Sequence, residues 1–435
     1  MSPAGPASPP PPPSAAARVA DRARTRMAEW RSDVHDAGPL VRLLASTQFA
    51  FNIGFFAVVP YLAVHLGQTL GLAGWLVGLV LGLRTFSQQG LFAVGGALTD
   101  RFGVRPVVLT GCVLRAAGFA WLAVAQATAG VIASVLLIGF AAALFSPAVE
   151  TEAARQAVGY ERRTGRPRTR VLGLFSAAGQ AGTLIGPVLG SLLLLGGFRT
   201  ACLAGAALFM LVWFGHLRLL PEEPPRPDGP APGPQRPQGR PSGLLDRRFL
   251  GLCAAYSSYL VAYNQLYLAL PQEVERATGS QAALGWLLAL ASAFYLIVQM
   301  PLLNWASRRL TRRGAVRAGL LLIAVGFVGA AVLLPVEAAG GLLPSVAFVL
   351  LLTAGQALVV PTARAWLPDL VADRRLGLAN GTMSSVAGLA VLACGAPAGA
   401  LLSAPGAVPW LVLAVLPLLG CLAAPGRPEV RRGGS

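Results

Sequence analysis

Three charged residues lie within or beside long apolar segments, where a charge is rare and usually functional. They are Arg84, Arg115 and Glu150. Glu150 follows Pro147 at the end of an apolar run, and Arg155 comes five residues later. A carboxyl group in this position could be alternately paired and desolvated, so its affinity for a proton would depend on its access to water. We treat the three residues as candidates for proton coupling, with a solvated loop carboxylate as the alternative for Glu150.

A second group of residues could bind an aromatic ligand. Tyr256, Tyr259, Tyr263 and Tyr267 are three or four residues apart, so they share one face of a helix. Phenol rings stack on aromatic or cationic compounds and also form hydrogen bonds. Further polar residues inside apolar runs are predicted to face the same interior: Asn52, Gln180, Asn264, Tyr295, Gln299, Gln356 and Asn380. Because this set contains no carboxylate, the predicted cavity has no strong preference for cations.

The chain that carries these residues is too apolar for a soluble protein. Of its 435 residues, 55% are hydrophobic and 12% are charged, whereas soluble domains carry about 25% charged residues. Apolar runs of about 20 residues, which is the length that crosses a bilayer, recur along the sequence. We predict twelve, at roughly 43–64, 72–95, 106–125, 130–150, 171–195, 200–217, 249–270, 284–304, 316–335, 344–363, 378–402 and 408–424. The predicted fold class is an all-α membrane protein with twelve transmembrane helices.

A segment rich in proline and glycine, "LPEEPPRPDGPAPGPQRPQGRPSGL", separates six predicted helices from the next six. The two halves are also similar to each other, since "LLIGFAAALFSPAVE" and "LLTAGQALVVPTARA" both carry a proline about ten residues from their start. We therefore predict two pseudo-symmetric bundles, which places a ligand site between them near the middle of the membrane. The predicted domains are a disordered tail 1–39, bundles 40–218 and 248–424, a linker 219–247 and a tail 425–435.

The distribution of the basic residues predicts the orientation of the chain in the membrane. All 35 are arginine, and 31 of them fall in the tails, the linker, and the loops and span ends on one side. Only Arg199 and Arg276 lie on the other side, while Arg84 and Arg115 lie within spans. By the positive-inside rule, both termini are predicted to be cytoplasmic, in a cell inner membrane. A basic inner face explains the net charge of +17, so no nucleic-acid partner is predicted.

The sequence carries no recognisable catalytic or cofactor site. The five cysteines all fall inside apolar runs, without the spacing of a metal site or a disulfide framework. The only histidines are His35 in the predicted tail and His65 and His216 at predicted helix ends, and no phosphate-binding loop is present. We expect neither an enzyme nor a bound cofactor or metal.

The segment Gly95–Arg105, "GGALTDRFGVR", places an aspartate and two arginines between glycines at the predicted turn after the second helix. Gly96 and Gly103 are expected to allow close packing and the positive φ of a tight turn. The segment resembles the signature loop of the major facilitator superfamily, with Val104 where a second basic residue is usual. The matching residues are Gly96, Leu98, Asp100, Arg101, Gly103 and Arg105. The resemblance implies that Asp100 docks at the start of the eleventh helix, near 374–380, and acts as a gate.

A second segment, "GTLIGPVLG" in the fifth predicted helix, resembles the antiporter motif of the same superfamily. Its characteristic residues are Gly182, Gly186, Pro187 and Gly190. Small residues four apart let helices approach closely, and a proline bends the helix. The stretches "GFFAVVPYLAVHL" and "LGLRTFSQQGLFAVGGALTDRFGVR" are similar to the MdtH type of bacterial multidrug exporter. These resemblances imply drug:proton antiport.

The leading hypothesis is a transporter that exports amphipathic drugs or a secondary metabolite in exchange for protons, by alternating access. Its expected partners are the lipid bilayer, a small-molecule substrate and protons, and we expect it to act as a monomer. The alternative is a facilitator or proton-coupled importer of a small nutrient. The aromatic character of the predicted cavity argues against that alternative, because sugar sites usually need more polar side chains.

Overall fold

A computed structural model describes residues 38–220, 246–336, 340–371 and 376–425. Within these ranges the helices group into twelve runs, which is consistent with the twelve predicted spans. The first six are α1 (Gly38–Thr69), α2 (Gly74–Gln89 and Phe92–Phe102), α3 (Val104–Leu122), α4 (Thr128–Thr164), α5 (Thr169–Leu193) and α6 (Phe198–Leu219). The other six are α7 (Arg247–Thr278), α8 (Ala282–Arg309), α9 (Arg312–Leu333), α10 (Leu343–Leu370), α11 (Leu376–Leu401) and α12 (Val408–Ala423).

Nine of these helices, among the described residues, are long and apolar enough to cross a membrane on their own. The remaining three are α2, α7 and α12. Helix α2 is interrupted between Gln89 and Phe92, α7 carries the tyrosines and other polar residues, and α12 has only 16 residues. The interruption in α2 leaves the Gly90 carbonyl without its usual helical partner, and the Ser385 hydroxyl of α11 donates to it at 2.9 Å.

Hydropathy located the spans but not all of their ends. Helix α4 continues to Thr164, well beyond the apolar run predicted at 130–150, because its polar end consists mainly of residues that favour helices. Gly165 ends the helix in the left-handed conformation, with φ 69°. The predicted tails and most of the predicted linker lie outside the described residues, so those domain boundaries stay predictions.

The two halves pack in the same way. Each main helix pair of the first bundle has a counterpart six helices later: α1 with α5 and α7 with α11, α3 with α4 and α9 with α10, α3 with α6 and α9 with α12. The pseudo-symmetric pair of bundles is therefore confirmed. The bundles meet along α2 with α11, α5 with α8 and α1 with α7.

One face of the molecule carries Gly38 and the C-terminal end of α12, and we call it the terminal face; the other is the opposite face. Near the opposite face the bundles touch through glycines of α2 and α11. A Cβ atom added to Gly78 would lie 2.0 Å from the carbonyl oxygen of Gly395, and one added to Gly399 would lie 2.0 Å from that of Gly74. Helices α4 and α10 have no comparable contact toward the terminal face, so the bundles are more tightly joined near the opposite face.

Candidate functional site

A cavity of about 200 Å³ lies between the two bundles, bounded by α1, α2 and α7. Among the described residues, its lining combines aromatic rings with neutral hydrogen-bonding groups and a single cation, and contains no carboxylate. The lining residues are Phe51, Asn52, Phe55, Phe56, Arg84, Thr85, Gln88, Gln89, Leu260, Tyr263, Asn264 and Tyr267. Both bundles therefore contribute to the same site.

Arg84 is the cation in this lining. Its side chain is only 5% exposed, and its guanidinium carbon lies 5.1 Å from the centre of the Phe55 ring and 5.5 Å from that of Tyr267. One nitrogen, Nη2, donates to the Thr85 hydroxyl at 2.8 Å, while Nε and Nη1 have no hydrogen-bond partner. Gln88, one helical turn after Arg84, also lines the cavity. Ser87 does not, because it faces α4 and packs against Gly139.

Thr85 joins the two bundles at this site. Its hydroxyl donates to the side-chain oxygen of Asn264 at 3.1 Å, a contact across 179 positions of sequence. Both residues are buried. The sequence indicated Asn264 but not Thr85, since a threonine in an apolar helix most often bonds to its own backbone. The hydroxyl of Thr85 is also close to the Leu81 carbonyl, at 3.1 Å.

The four tyrosines of α7 form a continuous ladder of rings. Neighbouring ring centres are 5.5, 5.8 and 5.9 Å apart from Tyr256 to Tyr267, which are distances of favourable aromatic contact. The cavity is lined by Tyr263 and Tyr267, whose hydroxyl groups are 3.3 Å apart. Tyr256 and Tyr259 are buried further along the ladder, outside this lining.

Arg115 lies beside the cavity, in a cage of four phenylalanine rings. Its side chain is fully buried, and none of its three guanidinium nitrogens has a hydrogen-bond partner. The guanidinium carbon is 4.3 Å from the ring centre of Phe51, 5.0 Å from Phe209, and 5.7 Å from both Phe55 and Phe119. Because the guanidinium forms no hydrogen bond, these cation–π contacts are the main interactions that stabilise its charge.

The charges of Glu150 and Arg364 interact across the two bundles. Glu150 is in α4 and Arg364 is in α10, and both residues are exposed. The predicted partner of Glu150 was Arg155. In the structure Arg155 pairs with Glu152 at 3.6 Å, three residues before it on the same helix, and its pairing with Glu150 stays a prediction. Tyr295 of α8 also interacts with the charge of Arg364. Sequence reasoning missed Arg364, because its position near α4 depends on the packing of two helices that are distant in the chain.

The glycines of the antiporter motif pack α5 against α1. Added Cβ atoms at Gly182 and Gly190 would lie 2.4 and 2.6 Å from backbone carbonyl oxygens of α1, and one at Gly186 would lie 2.8 Å from the Phe56 side chain. Tyr61 of α1 donates its hydroxyl hydrogen to the Pro187 carbonyl at 2.5 Å. This junction also touches the other bundle, since Gly285 of α8 packs against the Pro187 carbonyl and Tyr61.

The segment Gly95–Arg105 forms the end of α2 and the turn into α3. Gly103 has φ 84°, which confirms the predicted positive φ. The close packing predicted for Gly96 was wrong: nothing lies within 4 Å of a Cβ there, whereas one at Gly95 would lie 1.9 Å from a backbone oxygen of α4.

The charged residues of the same segment lie at the terminal face. Asp100 and Arg101 are exposed and Leu98 is half-buried. Arg105 donates to the Leu217 carbonyl at 3.0 Å. The predicted docking region of Asp100 at 374–380 falls mostly outside the residues whose side chains are described, so the gate stays a prediction.

The remaining predicted cavity residues do not line this cavity. Gln180, Tyr295 and Gln356 are half-buried in α5, α8 and α10. Among the described residues, no group of three or more His, Cys, Asp or Glu residues is close enough together to hold a metal ion.

A family model described as Major Facilitator Superfamily matches residues 44–272 and 248–434. The chain belongs to the major facilitator superfamily. It is 34% identical over 368 residues to an uncharacterized MFS-type transporter of Mycobacterium tuberculosis (strain ATCC 25618 / H37Rv), covering 83% of this chain and 86% of that protein. It is 33% identical over 380 residues to the multidrug resistance protein MdtH of Aeromonas hydrophila, covering 85% and 90%. The chain is therefore a multi-pass membrane transporter of the MdtH type rather than an enzyme.

Solved structures of other transporters share its fold. A peptide transporter POT in complex with sulfate superposes with a TM-score of 0.73 at 16% identity, over 88% of this chain and 93% of that one. The nucleoside transporter NupG gives a TM-score of 0.69 at 14% identity, over 89% and 98%. At these identities the likeness concerns the fold alone.

Proposed function

We propose that this transporter exports amphipathic aromatic compounds in exchange for protons, by alternating access. The observation that carries the proposal is the cavity of aromatic and polar side chains shared by the two bundles, with the antiporter-motif glycines at the helix junction beside it. The relatives named multidrug resistance protein MdtH support the same activity. We further propose that it acts as a monomer.

The proposed orientation places the terminal face in the cytoplasm. The arginines of the tails, the linker and the loops on that side satisfy the positive-inside rule. In this orientation the glycine contacts of α2 with α11 and the Pro187–Gly285 contact of α5 with α8 close the cavity on the outer side. Substrate would enter the cavity from the cytoplasm or the inner leaflet and leave after the bundles rock apart at the opposite face.

Proton coupling is assigned to the pair of Glu150 and Arg364. While Glu150 is ionised, its attraction to Arg364 draws α4 toward α10 and favours closure of the cytoplasmic side. Protonation removes this attraction, so the bundles can separate on that side. A proton that binds Glu150 from outside and leaves to the cytoplasm would thus return the empty transporter to its inward-facing state.

The test is efflux of a fluorescent aromatic dye from cells that lack their own pumps, with and without a protonophore. We expect the intact chain to export the dye in a protonophore-sensitive manner and Glu150→Gln to lose that component, because a glutamine cannot take up or release a proton. Glu161→Gln is the matched control, since it makes the same change at an exposed site of the same helix. Undiminished protonophore-sensitive efflux by Glu150→Gln would exclude Glu150 as the coupling group.

A further inference from the structure

Two buried arginines lie close together in this transporter, and no carboxylate of the described residues neutralises them. Arg84 is 5% exposed and Arg115 is fully buried, and the Phe55 ring lies between them at 5.1 and 5.7 Å from their guanidinium carbons. The titratable groups that interact with Arg84 are the phenols of Tyr263 and Tyr267, which carry no charge at pH 7. For Arg115 they are Arg84 itself and the thiol of Cys112. A buried cation without an anionic partner is costly, so this region of the molecule is electrostatically suited to an anion.

Only one of the two arginines can reach a ligand. Arg115 is enclosed in its phenylalanine cage and does not line the cavity, whereas Arg84 does. Nε and Nη1 of Arg84 have no partner, and Nη2 uses one of its two hydrogens on Thr85. Whichever hydrogen Thr85 takes, the guanidinium keeps one edge with two free donors, either Nε with Nη2 or Nη1 with Nη2. Two parallel donors on one edge match the two oxygens of a carboxylate.

The rest of the cavity matches an aromatic acid. Phe55, Phe56 and Tyr267 provide ring faces beside Arg84, and Asn52, Gln88 and Asn264 provide neutral hydrogen-bonding groups. With a single cation in the lining and about 200 Å³ of space, the site suits a monoanion on a planar ring better than a phosphate dianion.

We propose that the cavity is a subsite for the carboxylate of an aromatic acid, held by a bidentate contact with Arg84. The exported compounds would then be aromatic acids or zwitterions rather than simple lipophilic cations. This proposal rests on the proposed function, because it names the chemical class of compound that the same cavity exports. It also explains why a lining between two bundles retains a buried arginine whose remaining donors are unused.

Binding of a matched set of probes to the purified full chain in nanodiscs tests the proposal. The probes are 2-naphthoate, its neutral isostere 2-naphthamide and the cation 2-naphthylmethylammonium, with the dissociation constant measured by titration calorimetry. We expect 2-naphthoate to bind at least about tenfold more tightly than 2-naphthamide, since hydrogen bonds to charged groups contribute correspondingly more than neutral ones. Arg84→Gln should abolish this difference and Arg84→Lys, which keeps the charge without the planar fork, should retain part of it.

Arg199→Gln is the control, because Arg199 is exposed at the opposite face and its loss should leave the tenfold difference intact. Equal binding of the acid and the amide, binding of neither, tighter binding of the cation, or a difference that survives in Arg84→Gln would each overturn the proposal. If Arg84→Gln does not fold, the proposal is tested by the ratio of the dissociation constants of 2-naphthamide and 2-naphthoate, measured for the intact chain and for Arg84→Lys.

Dye efflux separates this proposal from the proposed function. If the intact chain exports neutral or cationic dyes and does not bind 2-naphthoate, the export function stands and the carboxylate subsite is wrong. If 2-naphthoate binds through Arg84 but no compound is exported in a protonophore-sensitive manner, the subsite stands and the proton-coupled export is wrong.

Discussion

Replacement of Arg115 by methionine is expected to make this transporter more stable to heat. The guanidinium of Arg115 is fully buried, and its three nitrogens have no hydrogen-bond partner. The four rings of its cage offset only part of the cost of removing the charge from water, because burying an ion costs far more than burying a neutral polar group. Replacement of buried ionic groups by well-packed apolar residues of similar volume often stabilises a protein, by about 1–4 kcal/mol. Methionine has a similar length, packs well against aromatic rings and carries no charge, so we expect a gain of this order.

The measurement is the thermal unfolding midpoint of the purified protein in nanodiscs. Arg115→Lys is the comparison, because it keeps the charge but loses the flat guanidinium that stacks on Phe51, and it should be less stable than the natural chain. A lower midpoint for Arg115→Met would mean that the phenylalanine cage more than compensates the buried charge. We also expect the stabilised variant to lose efflux, because charges retained inside membrane proteins are usually functional.

The sequence was enough to predict the fold and some members of the site, but not the contacts between them. Arg84 and Arg115 stood out because charges are rare in apolar spans, and the tyrosine ladder followed from helical spacing alone. The partners of these residues lie on other helices: Phe51 and Phe55 on α1 for Arg115, and Thr85 with Asn264 across the bundles. A single sequence contains local periodicity but no record of which helices meet.

The same limit explains two further details. Arg155 was chosen as the partner of Glu150 because it is near in sequence, whereas the charge found to act on Glu150 is that of Arg364, in the other bundle. Gly96 and Gly95 are equally plausible points of close packing by composition. Only the rotation of α2 about its axis turns Gly95 toward α4 and leaves Gly96 with open space around it.

The second large effect is expected from Gly78→Ala, which adds a single methyl group where α2 meets α11. The new Cβ would lie 2.0 Å from the Gly395 carbonyl oxygen and 3.0 Å from the backbone nitrogen of Gly399. Backbone atoms cannot rotate away as a side chain can, so the two helices must move apart. Overpacking of this kind costs about 1–3 kcal/mol, and here the strain is relieved when the bundles separate at the opposite face. We therefore expect Gly78→Ala to shift the transporter toward an outward-open state.

The shift can be measured by labelling a cysteine in the cavity with a membrane-impermeant maleimide added outside intact cells. Asn52→Cys places the thiol in the cavity lining, and the chain without it corrects for the five native cysteines. Labelling should rise when Gly78→Ala is added. Gly329→Ala is the matched control: it makes the same change inside α9, with nothing within 4 Å of the added carbon.

The Gly329→Ala control also shows whether a Gly→Ala replacement by itself raises or lowers stability. In an open helical position, alanine in place of glycine stabilises by about 0.5–1 kcal/mol through backbone entropy alone, so Gly329→Ala should be as stable as the natural chain or more so. A loss of stability or a rise in labelling confined to Gly78→Ala must then come from crowding between α2 and α11. If neither appears, the glycine contacts do not hold the opposite face closed, and the closure must depend on the junction of Tyr61, Pro187 and Gly285 between α1, α5 and α8.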